Sequence, residues 1–287
     1  MSEKKVAIST WCTDDYREYI GIEKLTKSIS YFHPEINHCI SSHPWSKETG
    51  GWMMAPTCLE IADDYDMVIH LDGDTVVVGD LSEMILSDAD VIGTCNNNTL
   101  GKAGANPSIT TELMRYNKES GTYNPTGKMI LTNDWLNAGV IAANKKQFWQ
   151  AWRDLNMTIC KQLKDYNVER LPAPFGDEND TLNVVFHSGQ FSTYIVDMLE
   201  NSVSYNISNS WGNEQFSHWD SWKSMYIQED KVYLNDPTTN EPIQIKILHQ
   251  GGGSRASDLN KQFGGFHQWL KQAVSKEVSE FIDHVSH

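Results

Sequence analysis

An apolar run ending in two aspartates one residue apart, MVIHLDGDTVVVGDL at 67–81, leaves this chain few folds to choose from. Val68, Ile69 and Leu71 read as a strand buried on both faces, the kind found in parallel sheets. Gly73 lets the chain turn directly after it, so that Asp72 and Asp74 present oxygens at the strand's carboxyl end. That edge is where open α/β sheets bind ligands. Two hard anionic ligands beside a glycine suit Mg2+ or Mn2+, with positions left for phosphate oxygens and water. A bare D-x-D is more often an acidic turn, so the assignment leans on the rest of the chain.

The rest of the pattern agrees with an α/β fold. VAIST at 6–10 reads as a first strand, and Tyr19, Ile22, Leu25 and Ile29 follow at helical spacing. A short strand at 38–40, a helix at 57–65, a short helix at 81–86 and the strand DVIGTC at 90–95 continue the alternation. Such βαβα order predicts a mostly parallel central sheet flanked by helices. From Asn96 to Asn133 the periodicity dissolves, with a short helix expected around Thr111–Tyr116; a stretch this long is usually functional or mobile. NAGVIAAN at 137–144 is a buried strand, and Phe148, Trp152, Leu155 and Ile159 mark the helix behind it. GDENDTLNVVF at 176–186 opens with acidic residues that could cap a helix. Residues 201–242 read as an irregular cleft wall, and IQIKILH at 243–249 as a late strand. Phe266 to Val285 reads as an amphipathic helix broken once by a charge. With no repeat and no linker, residues 1–287 are expected to form one domain: a nucleotide-binding half at 1–95, a donor-sugar and acceptor half at 96–260, and the C-terminal helix at 261–287.

Charge restricts the partners. A formal net charge of −15 without any basic block argues against nucleic acid, and a phosphate group would have to be met through a metal or a few placed cations. There is no run of 18 apolar residues and no hydrophobic segment after MSEKK, so neither a membrane span nor a signal peptide is expected. The five cysteines, at 12, 39, 58, 95 and 160, form no C-x-x-C pair. That spacing speaks against a disulfide framework or a zinc site and fits a reducing cytoplasm.

His249 ends the late strand and is followed by three glycines, at 251–253, and Arg255. Imidazole is a good Mn2+ ligand, and glycines let backbone N–H groups approach a phosphate. Arg255 would supply a fixed positive charge for a departing diphosphate. Asp72, Asp74 and His249 thus all fall at the ends of expected strands.

These motifs together resemble the GT-A fold glycosyltransferases, and among them the retaining family that includes glycogenin and bacterial galactosyltransferases of lipooligosaccharide synthesis. TWCTDDYREYIGIEKLTKSI resembles that family's nucleotide-binding start, which implies that Thr10, Asp14 and Tyr16 contact the nucleotide. HLDGDTVVVGDLSEM resembles its D-x-D, with Asp72, Gly73 and Asp74. LNAGVIAAN looks like its N-[AS]-G-V strand, which places Asn137 near the donor sugar. ENDTLN resembles D-Q-D-x-L-N, which sets Glu178, Asn179 and Asp180 around that sugar. His249 to Arg255 is similar to H-x-x-G-x-x-K, with Gly252 and Arg255 at the diphosphate; Arg255 stands where the family has Lys, and no Pro-Trp follows. The resemblance implies transfer of a sugar, with retention, from a nucleotide sugar such as a UDP-sugar to a hydroxyl acceptor such as a glycan, with Mn2+ or Mg2+ bound. Glu178 and Asp180 are the nucleophile candidates if the route is a double displacement.

Two other readings compete. VIHLDGDTVV satisfies the hhhhDxDx[TV] motif of haloacid-dehalogenase-like phosphatases, with Asp72 as nucleophile, and GDEND resembles their late Mg2+ motif. Their D-x-D usually lies on the first strand, whereas here about 65 residues precede it. The other is a non-catalytic carbohydrate-binding protein, in which Trp211, Trp219 and Trp222 would stack on sugars. The C-terminal helix is the candidate for a homodimer contact or for lying on a membrane surface.

Overall fold

The computed structural model describes residues 4–13, 17, 21–42, 54–95, 112–130, 134–166, 178–196, 203–210, 222–235, 240–251 and 265–287. Within them a six-stranded sheet runs in the order β2 (Asn37–Ser42), β1 (Val6–Cys12), β3 (Met67–Leu71), β8 (Leu136–Ala143), β5 (Val91–Cys95), β9 (Thr193–Ile195). β2, β1, β3, β5 and β9 share one direction, and β8 alone runs against its neighbours β3 and β5. The expected mostly parallel α/β sheet is therefore present, with a reversed strand at its middle. NAGVIAAN reads as buried because it is covered on both faces, and burial carries no sign of direction.

Strand alternation sorts the side chains onto two cores. Ile8, Ile69, Leu71, Val140 and Ala142 face one cluster, completed by Ile22, Leu25 and Ile29 of α1 (Ile22–Phe32). Val68, Val91, Ile141 and Ala143 face the other. It is filled by Met54, Ala55 and Cys58 of α2 (Met54–Ile61), Phe148, Trp149 and Trp152 of α4 (Lys146–Tyr166), and Leu182, Val185 and Phe186 of α5 (Glu178–His187). Helix α3 (Ser82–Leu86) lies between β4 (Thr75–Val77) and β5.

A second sheet crosses the chain's length. β13 (Pro242–Gly251) pairs with β10 (Val203–Ser210) and with β12 (Lys231–Asn235), which pairs in turn with β11 (Tyr226–Gln228). β13 also takes β4 antiparallel, with Thr75 opposite His249. Part of the expected irregular wall at 201–242 is thus strand.

Three further expectations need correction. Glu112–Asn117 is strand β6, paired with β7 (Thr122–Met129), where a helix was expected. The Asn117 side chain accepts the Glu119 and Ser120 N–H groups and Gly121 takes φ 69°, which closes the hairpin. A register shift near Met114 and the proline at 125 hide the two-residue period. The C-terminal segment is two helices, α6 (Phe266–Ala273) and α7 (Lys276–Val285). The break falls at Val274–Ser275, because Ser275 is extended and its side chain caps α7 by accepting the Val278 N–H. Their apolar faces, Phe266, Trp269, Leu270, Val278 and Ile282, are buried in the first core. Trp222 is fully buried against Trp269 at 6.0 Å between ring centroids, a core residue and not a sugar platform; Trp211 and Trp219 lie outside the described residues. No helix among the described residues is long and apolar enough to cross a membrane.

Candidate metal centre

The site is built by two strand pairings. β3 ends at Leu71, opposite Val140 of β8, and the Asp72 N–H donates to the Gly139 carbonyl at 2.8 Å. The chain turns at Gly73, tied by the Thr75 hydroxyl donating to the Asp72 carbonyl at 2.6 Å, and leaves as β4. Pairing of β4 with β13 then sets His249 beside Asp74. His249 Nε2 lies 3.4 Å from Asp72 Oδ2 and 3.5 Å from Asp74 Oδ1. The three ligand-type atoms all fall within 4.8 Å of one another. Asp72 and Asp74 and, more than 170 residues further along the chain, His249 are therefore together as the motifs implied.

Gly139 is what allows the approach. A Cβ there would lie 2.4 Å from His249 Cε1, 2.7 Å from Asp72 Oδ2 and 2.9 Å from Asn137 Oδ1. The three groups converge on space that only a glycine leaves open. Two carboxylates and an imidazole around such a cradle fit Mn2+ or Mg2+ in donor type and spacing.

The electrostatics agree with a cation site. Desolvation pushes the Asp72 carboxyl up, but hydrogen bonds from His249 and His70 and their charges outweigh it and hold it well below the usual carboxylate range. Burial depresses His249, yet Asp72 and Asp74 raise it from 6.5 to about 10. In the metal-free protein an imidazolium therefore sits between the carboxylates, and a metal must displace its proton.

The flanking residues are held by backbone bonds. Asn137 Oδ1 accepts the Gly139 N–H at 2.8 Å. Asn179, in the first turn of α5, accepts the Ala138 N–H at 2.7 Å. One turn on, buried Asn183 accepts the Leu136 N–H at 2.8 Å and donates to the Leu136 carbonyl at 3.0 Å and the Asn179 carbonyl at 2.8 Å. The two asparagines act as a strand-like partner for β8 next to the site. Asp180 is half-buried beside them. Thr10 is fully buried on β1, its hydroxyl at 2.9 Å from His38 Nε2; the other ring nitrogen meets Thr26 at 2.8 Å. The observed role of the Thr10 side chain is thus internal, and it does not join the metal triad. Asp14, Tyr16, Gly252, Arg255 and the Glu178 side chain lie outside the described residues.

Sequence reading missed two residues here. His70 is fully buried, and its Nε2 lies 2.9 Å from Asp72 Oδ1. The two-residue period of a strand, which puts positions 70 and 72 on one face, was the signal available. Gly139 stood inside the N-[AS]-G-V resemblance at 137–140, but nothing in that motif shows which distant segments approach it.

No protein family model matches the sequence, and neither does any curated protein. Among solved structures the chain is similar to the galactosyltransferase LgtC in complex with donor and acceptor sugar analogs, at 15% identity over 93% of this chain and 95% of that one, TM-score 0.43. It is also similar to the bifunctional glycosyltransferase WbbM, at 17% identity over 87% of this chain and 46% of that one, TM-score 0.47. A third similarity is to a glycosyltransferase involved in glycosylation of the major capsid of PBCV-1, at 13% identity over 90% of this chain and 97% of that one, TM-score 0.45.

Proposed function

We propose that this chain transfers a sugar from a nucleoside diphosphate sugar, a UDP-sugar, to a hydroxyl acceptor such as a glycan, with retention and in the cytoplasm. The observation that carries the reading is the convergence of Asp72 and Asp74, just past the carboxyl end of β3, with His249 of β13 around the gap at Gly139. Two carboxylates in a chain of net charge −15 repel a diphosphate by themselves, so the site makes sense as the protein half of a shared metal site. Asp72, Asp74 and His249 would hold Mn2+ or Mg2+, which when bound supplies a Lewis acid for the diphosphate leaving group.

The chain's own residues divide the remaining work. Asn137, fixed through the Gly139 N–H, borders the metal ligands and is assigned to the donor sugar. Asn179 and Asp180 open α5 on the same side, and Asn179 holds the β8 backbone in place. Glu178 and Asp180 are the candidates for a nucleophile. Gly252 and Arg255 are assigned to the diphosphate charge that grows as the glycosidic bond breaks, and Asp14 and Tyr16 to the nucleotide. The phosphatase reading gains nothing from the fold. It gives His249 no role, and Asp72 follows the third strand of the chain.

A donor screen tests the proposal: a panel of UDP-, GDP- and CMP-sugars with Mn2+, read by released nucleotide, alongside para-nitrophenyl phosphate. The expected result is nucleotide release from a UDP-sugar that stops in EDTA. Turnover of the phosphomonoester alone returns the site to the phosphatase reading. Sugar binding without turnover of any donor favours the carbohydrate-binding one.

A further inference from the structure

Burying a histidine on a central strand has a cost that its surroundings do not offset. His70 is the fourth residue of β3, whose five residues are all buried, and its Nδ1 has no hydrogen-bond partner among the described residues. A buried unsatisfied nitrogen destabilises a fold, and an apolar side chain such as that of Val68, two residues earlier on the same face, would avoid the penalty. The gain must come from the other nitrogen. Asp72 is ionised and can only accept, so Nε2 carries the hydrogen and donates to Oδ1 at 2.9 Å. Asp72 does not need this bond to be solvated, because its side chain keeps 27% of its surface exposed.

The two oxygens of Asp72 are thereby given different tasks. Oδ1 is held by His70, and Oδ2 lies 3.4 Å from His249 Nε2 and borders the gap at Gly139. We propose that His70 is a positioning residue of the metal centre: its Nε2–H locks the Asp72 carboxylate so that only Oδ2 faces the cation, making Asp72 a single-oxygen ligand of fixed direction. A carboxylate free to rotate or to chelate through both oxygens would have to be ordered when the metal binds. Residues that orient a metal ligand from behind typically change affinity by about 10- to 100-fold when removed.

The inference rests on the metal-site reading, and the test separates the two. Mn2+ affinity is measured by titration calorimetry and by the electron paramagnetic resonance signal of free Mn2+, with UDP present. The proteins compared are the unaltered chain, His70→Leu and His70→Gln, each also melted in EDTA. His70→Leu is expected to weaken Mn2+ binding by about 10- to 100-fold while melting in EDTA no lower than the unaltered protein. His70→Gln, which keeps an N–H at similar reach, is expected to restore part of the affinity. Unaltered affinity in both variants overturns the assignment, as does a lowered melting temperature with unchanged affinity, which would make His70 structural. Failure of the unaltered protein to bind Mn2+ overturns the metal reading itself.

Discussion

Adding one methyl group at Gly139 probes the metal centre without touching a ligand. The strand backbone at Gly139 is ordinary, so Gly139→Ala brings no backbone strain and its whole effect is the new Cβ. That atom would sit 2.4 Å from His249 Cε1, against 3.4 Å for ordinary contact, and 2.7 Å from Asp72 Oδ2. The shortfall is about 1 Å at the imidazole. The His249 side chain is only 4% exposed and its strand is paired on both sides by β4 and β10, so it has little room to withdraw. Overpacking of this kind costs about 1–3 kcal/mol, and a displacement of about 1 Å at a reacting centre costs about 100-fold. Gly139→Ala is therefore expected to lower stability in urea by that amount and to weaken Mn2+ by ten- to 100-fold. Gly93→Ala is the control. Its Cβ would strike Leu136 Cδ1 at 2.6 Å and Phe186 Cε2 at 3.1 Å, core atoms away from the ligands. It should cost similar stability and leave Mn2+ affinity alone. Calorimetric titration of both variants decides the matter. Normal Mn2+ affinity in Gly139→Ala would refute the claim that these three side chains share one ion.

Stability in EDTA should peak near pH 6.5. His249 is raised to about 10, so its contribution is complete below the unfolded value of 6.5 and is lost as pH climbs to about 10. Burial lowers His38 to about 4 and His267 to about 3, so both fold neutral; stability is lost as pH falls from 6.5 and the unfolded chain takes up their protons. Melting curves across pH 4–10 read both limbs, and His249→Gln should flatten the alkaline one. Asn183→Ala removes the hydrogen bonds that complete β8 at Leu136 and should cost about 1–3 kcal/mol in urea denaturation; an unchanged midpoint would count against the asparagine clamp. Trp222→Ala should cost about 3–5 kcal/mol as a core truncation, while acceptor KM measured on the folded fraction stays put. A raised KM at normal stability would restore its role as a sugar platform.

What the sequence disclosed was chemistry carried by neighbours in the chain. Asp72, Gly73 and Asp74 read as a candidate metal turn because strand, glycine and carboxylates are contiguous, and His249 was legible because it closes an apolar run, although β13 continues past it to Gly251. The alternation of strands and helices through residue 95 was legible for the same reason. Pairing partners were not. Nothing local tells that β8 runs backwards between β3 and β5, or that β13 reaches across to β4. Gly139 was visible only as the glycine of the N-[AS]-G-V motif, because its role lies in what 72 and 249 bring near it. His70 had a local signal, its two-residue offset from Asp72, but an imidazole in an apolar run is easily read as filler. The β6–β7 hairpin was hidden by a register shift and a proline, and the break between α6 and α7 by a serine cap that looks like an ordinary polar position.

The central claim is that Asp72, Asp74 and His249 form one half of a cation site whose other half is a diphosphate. Thermodynamic coupling measures this directly: the Kd of UDP with and without Mn2+, and of Mn2+ with and without UDP, by calorimetry. The account predicts that each tightens the other by the same factor, tenfold or more, and that Asp74→Ala abolishes the coupling. UDP binding that is indifferent to Mn2+, or Mn2+ binding that persists unchanged in Asp74→Ala, would contradict it.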